Sequence, residues 1–223
     1  LHAKSVRLTD FHVSPACAPT RAGLLTGRCP NRNGVWHVVM GRTQLPADEV
    51  TMAEVFSAAG YRTAIFGKWH LGDNYPMRPQ DQGFEEVLVH GGGVVGHTPD
   101  YWLNDYFDDV YLHNGEPEKC PGYCTDVWFD YALKFIESNR DAPFFVYLPL
   151  NAPHQPFQVP EKYETLYRDK PNVPNAAFYG MITSIDENMG RLQAALERWV
   201  LEGDTILIFM TDNGTSAGIR WLP

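Results

Sequence analysis

Segments of helical period alternate with short apolar runs along this chain. The helical patterns cover 49–59, 127–138 and 176–200, and the apolar runs predict strands at 62–66, 144–150 and 205–210. Gly60 stands where the first helix should stop. Strands taken in turn with helices predict an α/β fold with a mainly parallel, mixed sheet flanked by helices. The stretch 83–124 breaks the rhythm. It is rich in Gly, Tyr and Asp, has no clear period, and reads as an excursion over the site, with Asp108-Asp109 as surface charge.

Polar motifs follow each predicted strand. Gly67-Lys68-Trp69-His70-Leu71-Gly72 comes after 62–66, Asn151-Ala152-Pro153-His154 after 144–150, and Thr211-Asp212-Asn213-Gly214 after 205–210. Open α/β sheets hold their ligand crevice beyond the carboxyl ends of the strands, so the three motifs should converge.

Composition narrows the picture. The 223 residues are 44% apolar, enough to bury a core in one large domain or two small ones. A net charge of −9 argues against nonspecific nucleic-acid binding. It also means that an anionic substrate would need local cations to draw it in. No apolar run approaches a membrane span. The chain opens without Met and stops at Pro223 with no natural finish, so it is expected to be an internal piece of a longer protein. Cys120 and Cys124 could form a local disulfide, half a metal site or two free thiols. Cys29 leaves the pairing open.

The segment Cys17-Ala18-Pro19-Thr20-Arg21-Ala22-Gly23-Leu24-Leu25-Thr26-Gly27-Arg28 carries the most specific signal. Pro19 suits the start of a helix that Ala22, Leu24 and Leu25 continue, which places Cys17 just outside a helix N-terminus. Such an end favours an anion. A lone cysteine is more often a small buried thiol. Lys68 can neutralise charge growing on an anion, and His70 can carry protons near neutral pH. On an extended backbone the two side chains would lie on one side. His154 sits between prolines that stiffen its loop. Asp212 and Asn213 are hard oxygen donors of the kind calcium takes, or simply turn formers.

Together these motifs resemble the type I sulfatases, whose signature is Cys-x-Pro-Ser/Thr-Arg followed by Leu-Thr-Gly-Arg. The resemblance spans nearly all of 1–223, read as a partial sulfatase catalytic domain with an alkaline phosphatase-like fold, incomplete at both ends. It implies a sulfuric ester hydrolase in which a maturation enzyme oxidises Cys17 to formylglycine, whose hydrate is the nucleophile. Arg21 would then hold the nucleophile's oxygens. Lys68 would bind the sulfate, and His70 would help break down the covalent intermediate. His154 would contact sulfate and protonate the leaving alcohol. Asp212, Asn213 and the group at Cys17 would be calcium ligands. Arg28 would support the loop, or serve only as a helix-end cation. Two parts of the family pattern are absent: an N-terminal acidic pair, for which Asp10 lies too close to Cys17, and a second lysine downstream of Asn213. The resemblance further implies a sulfated small molecule or glycan as substrate and an exported location. Phosphomonoester, phosphodiester or phosphonate ester hydrolysis in the same superfamily is the alternative activity. An inactive fragment is the non-catalytic alternative.

Overall fold

The strand expected at 62–66 lies at the centre of a mixed sheet. In the computed structural model, which describes residues 2–39 and 41–215, it runs as β1 (Arg62–Lys68) and is buried from Thr63 onward. β2 (Glu86–His90) and β5 (Phe144–Tyr147) pair with it in parallel, one on each side. A strand enclosed in this way needs apolar side chains on both faces, which Ala64, Ile65 and Phe66 supply. β3 (Val110–His113) and β4 (Glu116–Lys119) continue the sheet antiparallel beyond β2, giving the order β4-β3-β2-β1-β5.

Alternation along the strands splits the core in two. Ala64, Phe66 and Leu88 pack with α3 (Cys124–Ser138) and α5 (Ala176–Arg198) on one face. Ile65, Val87 and Val89 pack with α1 (Cys17–Thr26) and α2 (Met52–Ala58) on the other. The short α4 (Glu161–Glu164) lies against α5. α2 begins at Met52, later than its period suggested, because Thr51 and Glu54 cap it reciprocally: the Thr51 hydroxyl accepts from Glu54 N at 3.2 Å, and the Glu54 carboxylate accepts from Thr51 N at 2.8 Å.

Three expectations change. The stretch 83–124 is not wholly an excursion, since it contains β2, β3 and β4. β2 is buried on both faces, so it shows no alternation to read. The β3–β4 hairpin turns at Asn114-Gly115, both at positive φ, as a two-residue Asn-Gly turn requires. Asp109 is buried rather than surface charge; it accepts from the Asp105 and Tyr106 N–H groups and from the Tyr111 hydroxyl at 2.8–3.0 Å. Residues 205–210 pair with no strand among the described residues. Cys120 and Cys124 are free, buried thiols, and Cys29 is free and exposed.

Candidate active site

Cys17 is the first residue of α1, two positions earlier than Pro19 suggested. Pro19 is tolerated at the third position because a first-turn N–H has no helical partner to lose. Gly27 closes the helix in the left-handed region at φ 64, its N–H returning to Gly23 O at 2.9 Å. α1 buries Ala18, Ala22 and Leu25 against the sheet, and Arg21 is buried with them. A buried guanidinium must be satisfied. Arg21 donates to Lys68 O at 2.8 Å and to Asp212 Oδ2 at 3.2 Å, while its buried Nε has no hydrogen-bond partner among the described residues.

Lys68 ends β1 and is only 2% exposed. It is held by Lys68 N donating to Pro149 O at 2.7 Å. Gly67 allows that approach, since a Cβ there would lie 2.2 Å from Pro149 O and φ is 132°. Burial, and then the Arg21 guanidinium, push the Lys68 ammonium down to about 8, while the Cys17 thiol against it and Asp212 act the other way. The helix N-terminus and buried Lys68 thus meet at Cys17, with the Arg21 guanidinium beside Lys68.

His70 does not follow by strand alternation. The extended register ends at Lys68, and His70 takes φ 59°, a left-handed conformation uncommon outside glycine. Its N–H donates to Gly91 O at 3.1 Å, and its ring lies under Gly93, where a Cβ would stand 2.6 Å from His70 Cε1. Burial, then Lys68 and Arg21, push the imidazole down to about 3, so it is neutral at ordinary pH. Nε2 lies 3.2 Å from Val38 O, which can only accept; the proton is therefore on Nε2, and buried Nδ1, with no hydrogen-bond partner among the described residues, presents a lone pair.

His154 lies beyond β5 with Nδ1 2.9 Å from Gln155 O. That contact assigns the proton to Nδ1 and leaves Nε2 for a substrate. Burial lowers its pKa, and Lys68 and Arg21 lower it further. Lys68, Arg21, Asp212 and His154 are therefore close enough to feel one another's charge. Asp212 and Asn213 are half-buried. Arg28 pairs with buried Glu49 at 2.6 Å, a strut between the end of α1 and the approach to α2 rather than a dipole partner. Asp10 pairs with His12 at 2.8 Å in an exposed position.

Some neighbours of the site carry no motif. Tyr147 at the end of β5 lies beside Arg21 and Asp212; burial pushes its hydroxyl up, and Arg21 partly opposes this. His90, Gly93 and Tyr106 also reach the histidine loops through folding alone. The donor chemistry of Asp212 and Asn213 suits calcium, but these residues make only part of a shell of 6–8 oxygens. Among the described residues no group of three or more His, Cys, Asp or Glu could hold an ion, and Asp212 Oδ2 already accepts from Arg21.

Comparison with known proteins shows the family. A sulfatase family model matches residues 1–220. Arylsulfatase J of Mus musculus is 29% identical over 238 residues, covering 99% of this chain and 39% of its own length. The ulvan-active sulfatase of Formosa agariphila is 31% identical over 248 residues, covering 98% and 45%. The crystal structure of Ps i-CgsB in complex with k-i-k-neocarrahexaose superposes with a TM-score of 0.70 at 27% identity, covering 82% of this chain and 45% of that one. The chain thus spans less than half the length of these relatives.

Proposed function

Because the chain belongs to the sulfatase family, we propose that the protein containing it hydrolyses sulfate monoesters, with Cys17 matured to formylglycine as its nucleophile. The observation that carries this reading is the meeting of Cys17, at the N-terminus of α1, with buried Lys68, while Arg21 reaches from the same helix to the Lys68 carbonyl. In that form the group at Cys17 would supply a hydrated aldehyde, one hydroxyl to attack sulfur and a second to let sulfate leave without attack by water.

The side chains around it divide the remaining work. Lys68 neutralises charge that grows on the sulfate oxygens and Arg21 holds the nucleophile's oxygens, and being already buried they need no reorganisation when charge appears. His154, with its Nδ1 proton held by Gln155 O, takes up on Nε2 the proton shed by the attacking hydroxyl and, as imidazolium, returns that proton to the departing alcohol. His70 Nδ1 offers a lone pair for the proton that must be removed before sulfate is expelled. Arg28 steadies the loop after α1 through Glu49. Calcium would take oxygens from Asp212, Asn213 and the matured group at Cys17, with the rest of its shell from outside the described residues. A sulfated glycan or sulfated small molecule is the substrate class, a formylglycine-generating enzyme the maturation partner, and an exported compartment the location. No helix of the described residues is long and apolar enough to cross a membrane.

The test uses the full-length protein made with the maturation enzyme. Turnover of an aryl sulfate should exceed that of the matching aryl phosphate. Mass spectrometry of the Cys17 peptide should show the thiol replaced by an aldehyde. Fully active enzyme with an unmodified cysteine would overturn the assignment. His70→Ala should release alcohol in the first turnover while steady-state sulfate release collapses, and unchanged turnover would remove His70 from the mechanism.

A further inference from the structure

The segment between β2 and β3 is strapped to both histidine loops. At its start Gly91 O accepts from His70 N, and Gly93 lies flush against the His70 imidazole. At its end the buried Tyr106 hydroxyl donates to His154 O at 2.8 Å. Between these ties sits a buried hub. Asp100 Oδ1 is 2.9 Å from Nδ1 of His90, the β2 residue in register with Lys68. That contact is a close electrostatic approach, not an aligned hydrogen bond; the hydrogen bonds Asp100 accepts come from Gly96 N at 2.7 Å, Tyr101 N at 2.9 Å and Asn104 Nδ2 at 3.0 Å. Asn104 is bonded onward to both backbone groups of Val110.

This polar framework presents apolar side chains to water. Trp102 and Leu103 are 82% and 80% exposed, and Tyr101 is exposed beside them. Leu103 is held at φ 69°. Single exposed apolar residues are ordinary, but three in succession on a tip pinned by a buried carboxylate are not. Trp102 is two residues from Asp100, so their Cα atoms are at most about 7 Å apart. The tip therefore stays close to the end of β2, where His90 lies beside Lys68.

The chemistry around His70 indicates what would lie there. The loop on its other side, which provides Val38 O, carries exposed Trp36 with the Arg42 guanidinium 4.6 Å over its ring. Flat aromatic faces with a cation beside them suit an anionic sugar chain: ring C–H faces stack on the indoles, and Arg42 meets a second anionic group. An apolar peptide would gain nothing from Arg42.

Resting on the sulfatase reading, we infer that Trp102, with Tyr101, is a stacking platform for a sugar ring next to the sulfated one, and that Asp100 is the positioning residue that holds the platform. The enzyme would then be selective for sulfated oligosaccharides over isolated sulfate esters.

The experiment compares the full-length matured enzyme with Trp102→Ala and Trp102→Phe. The substrates are 4-nitrophenyl sulfate and the best substrate among carrageenan- and ulvan-derived sulfated hexasaccharides. For Trp102→Ala the ratio of kcat/KM for hexasaccharide to that for the nitrophenyl ester should fall at least tenfold, through KM. Trp102→Phe should recover part of it. Asp100→Asn should shift the ratio the same way. In a Cys17→Ala background, hexasaccharide binding by calorimetry should weaken to match. An unchanged ratio overturns the inference, whether both rates hold or both fall together with a lowered Tm, which would mean another part of the protein covers Trp102. If wild type hydrolyses no sulfate ester but the Cys17→Ala protein binds hexasaccharide through Trp102, the platform stands and the sulfatase reading fails. Absence of both binding and turnover overturns both.

Discussion

Phe66 and Ile208 both belong to apolar segments that read as strands, yet one is 0% exposed and the other 76%. β1 has a parallel strand on each side and a core on each face, and its end is closed by the Pro149 carbonyl. Among the described residues, 205–210 meet a core cluster through Leu207, while Ile206 and Ile208 are exposed. The cationic half of the site rests on the sheet. The Asp212-Asn213 half rests on an extended segment tied to the site by the Arg21–Asp212 ion pair at 3.2 Å. Preorganisation follows from burial on all sides, and a motif at the end of an unpaired segment has little of it.

The sharpest way to break that comparison is to remove the nucleophile from the cationic half. Cys17→Ala in the full-length protein should abolish sulfate-ester turnover. Cys17→Ser should do the same unless the host matures serine. Residual activity near wild type would place the nucleophile elsewhere.

Next in size is the cation. Lys68→Ala should cost roughly 2.7–4 kcal/mol of transition-state stabilisation, measured as kcat/KM, the scale for one preorganised donor. Its titration offers a separate check in the metal-free chain. Folded Lys68 loses its proton at about 8 against an ordinary 10.5. The unfolded chain therefore binds more protons in that window, and the Lys68 contribution to stability rises with pH from about 8 to 10.5. Lys68→Met should flatten this rise in denaturation curves taken across the window. An unaltered slope would mean that Lys68 is not desolvated.

The other half predicts a smaller difference. With Asp212 held by Arg21 and no group of three or more His, Cys, Asp or Glu among the described residues able to hold an ion, Leu1–Pro223 should bind calcium poorly. The full-length protein should bind at least about tenfold tighter by calorimetry, about 1.4 kcal/mol. Equal affinities would show a complete site already present. Smallest of all, Ile206→Thr or Ile208→Thr in Leu1–Pro223 should change unfolding free energy by no more than about 0.5 kcal/mol, as for a surface position. A loss above 1 kcal/mol would mean that the segment is packed after all.

Much of this was legible beforehand. The helices at 127–138 and 176–200 were found because one face of each is apolar, and the strands at 62–66 and 144–150 because short apolar runs between helices have few other uses. The motif residues Cys17, Arg21, Lys68, His70, His154, Asp212 and Asn213 were named from local residue patterns and family resemblance. β2 was missed because burial on both faces removes the alternation that marks a strand, and Asp109 because an acidic pair reads as solvated until its donors are known.

The sequence by itself determined which residue types stand at each strand end, since those signals lie within a dozen neighbouring positions. Only the tertiary structure decided that Arg21 spans from α1 to Lys68 and Asp212, that His70 turns left-handed beneath Gly93, that Tyr147 joins the site, and that Asp100 anchors the Trp102 tip on His90. Each of these contacts joins residues far apart in the chain or depends on one backbone angle. Burial and close approach in three dimensions set such contacts, and no local pattern of residues encodes them.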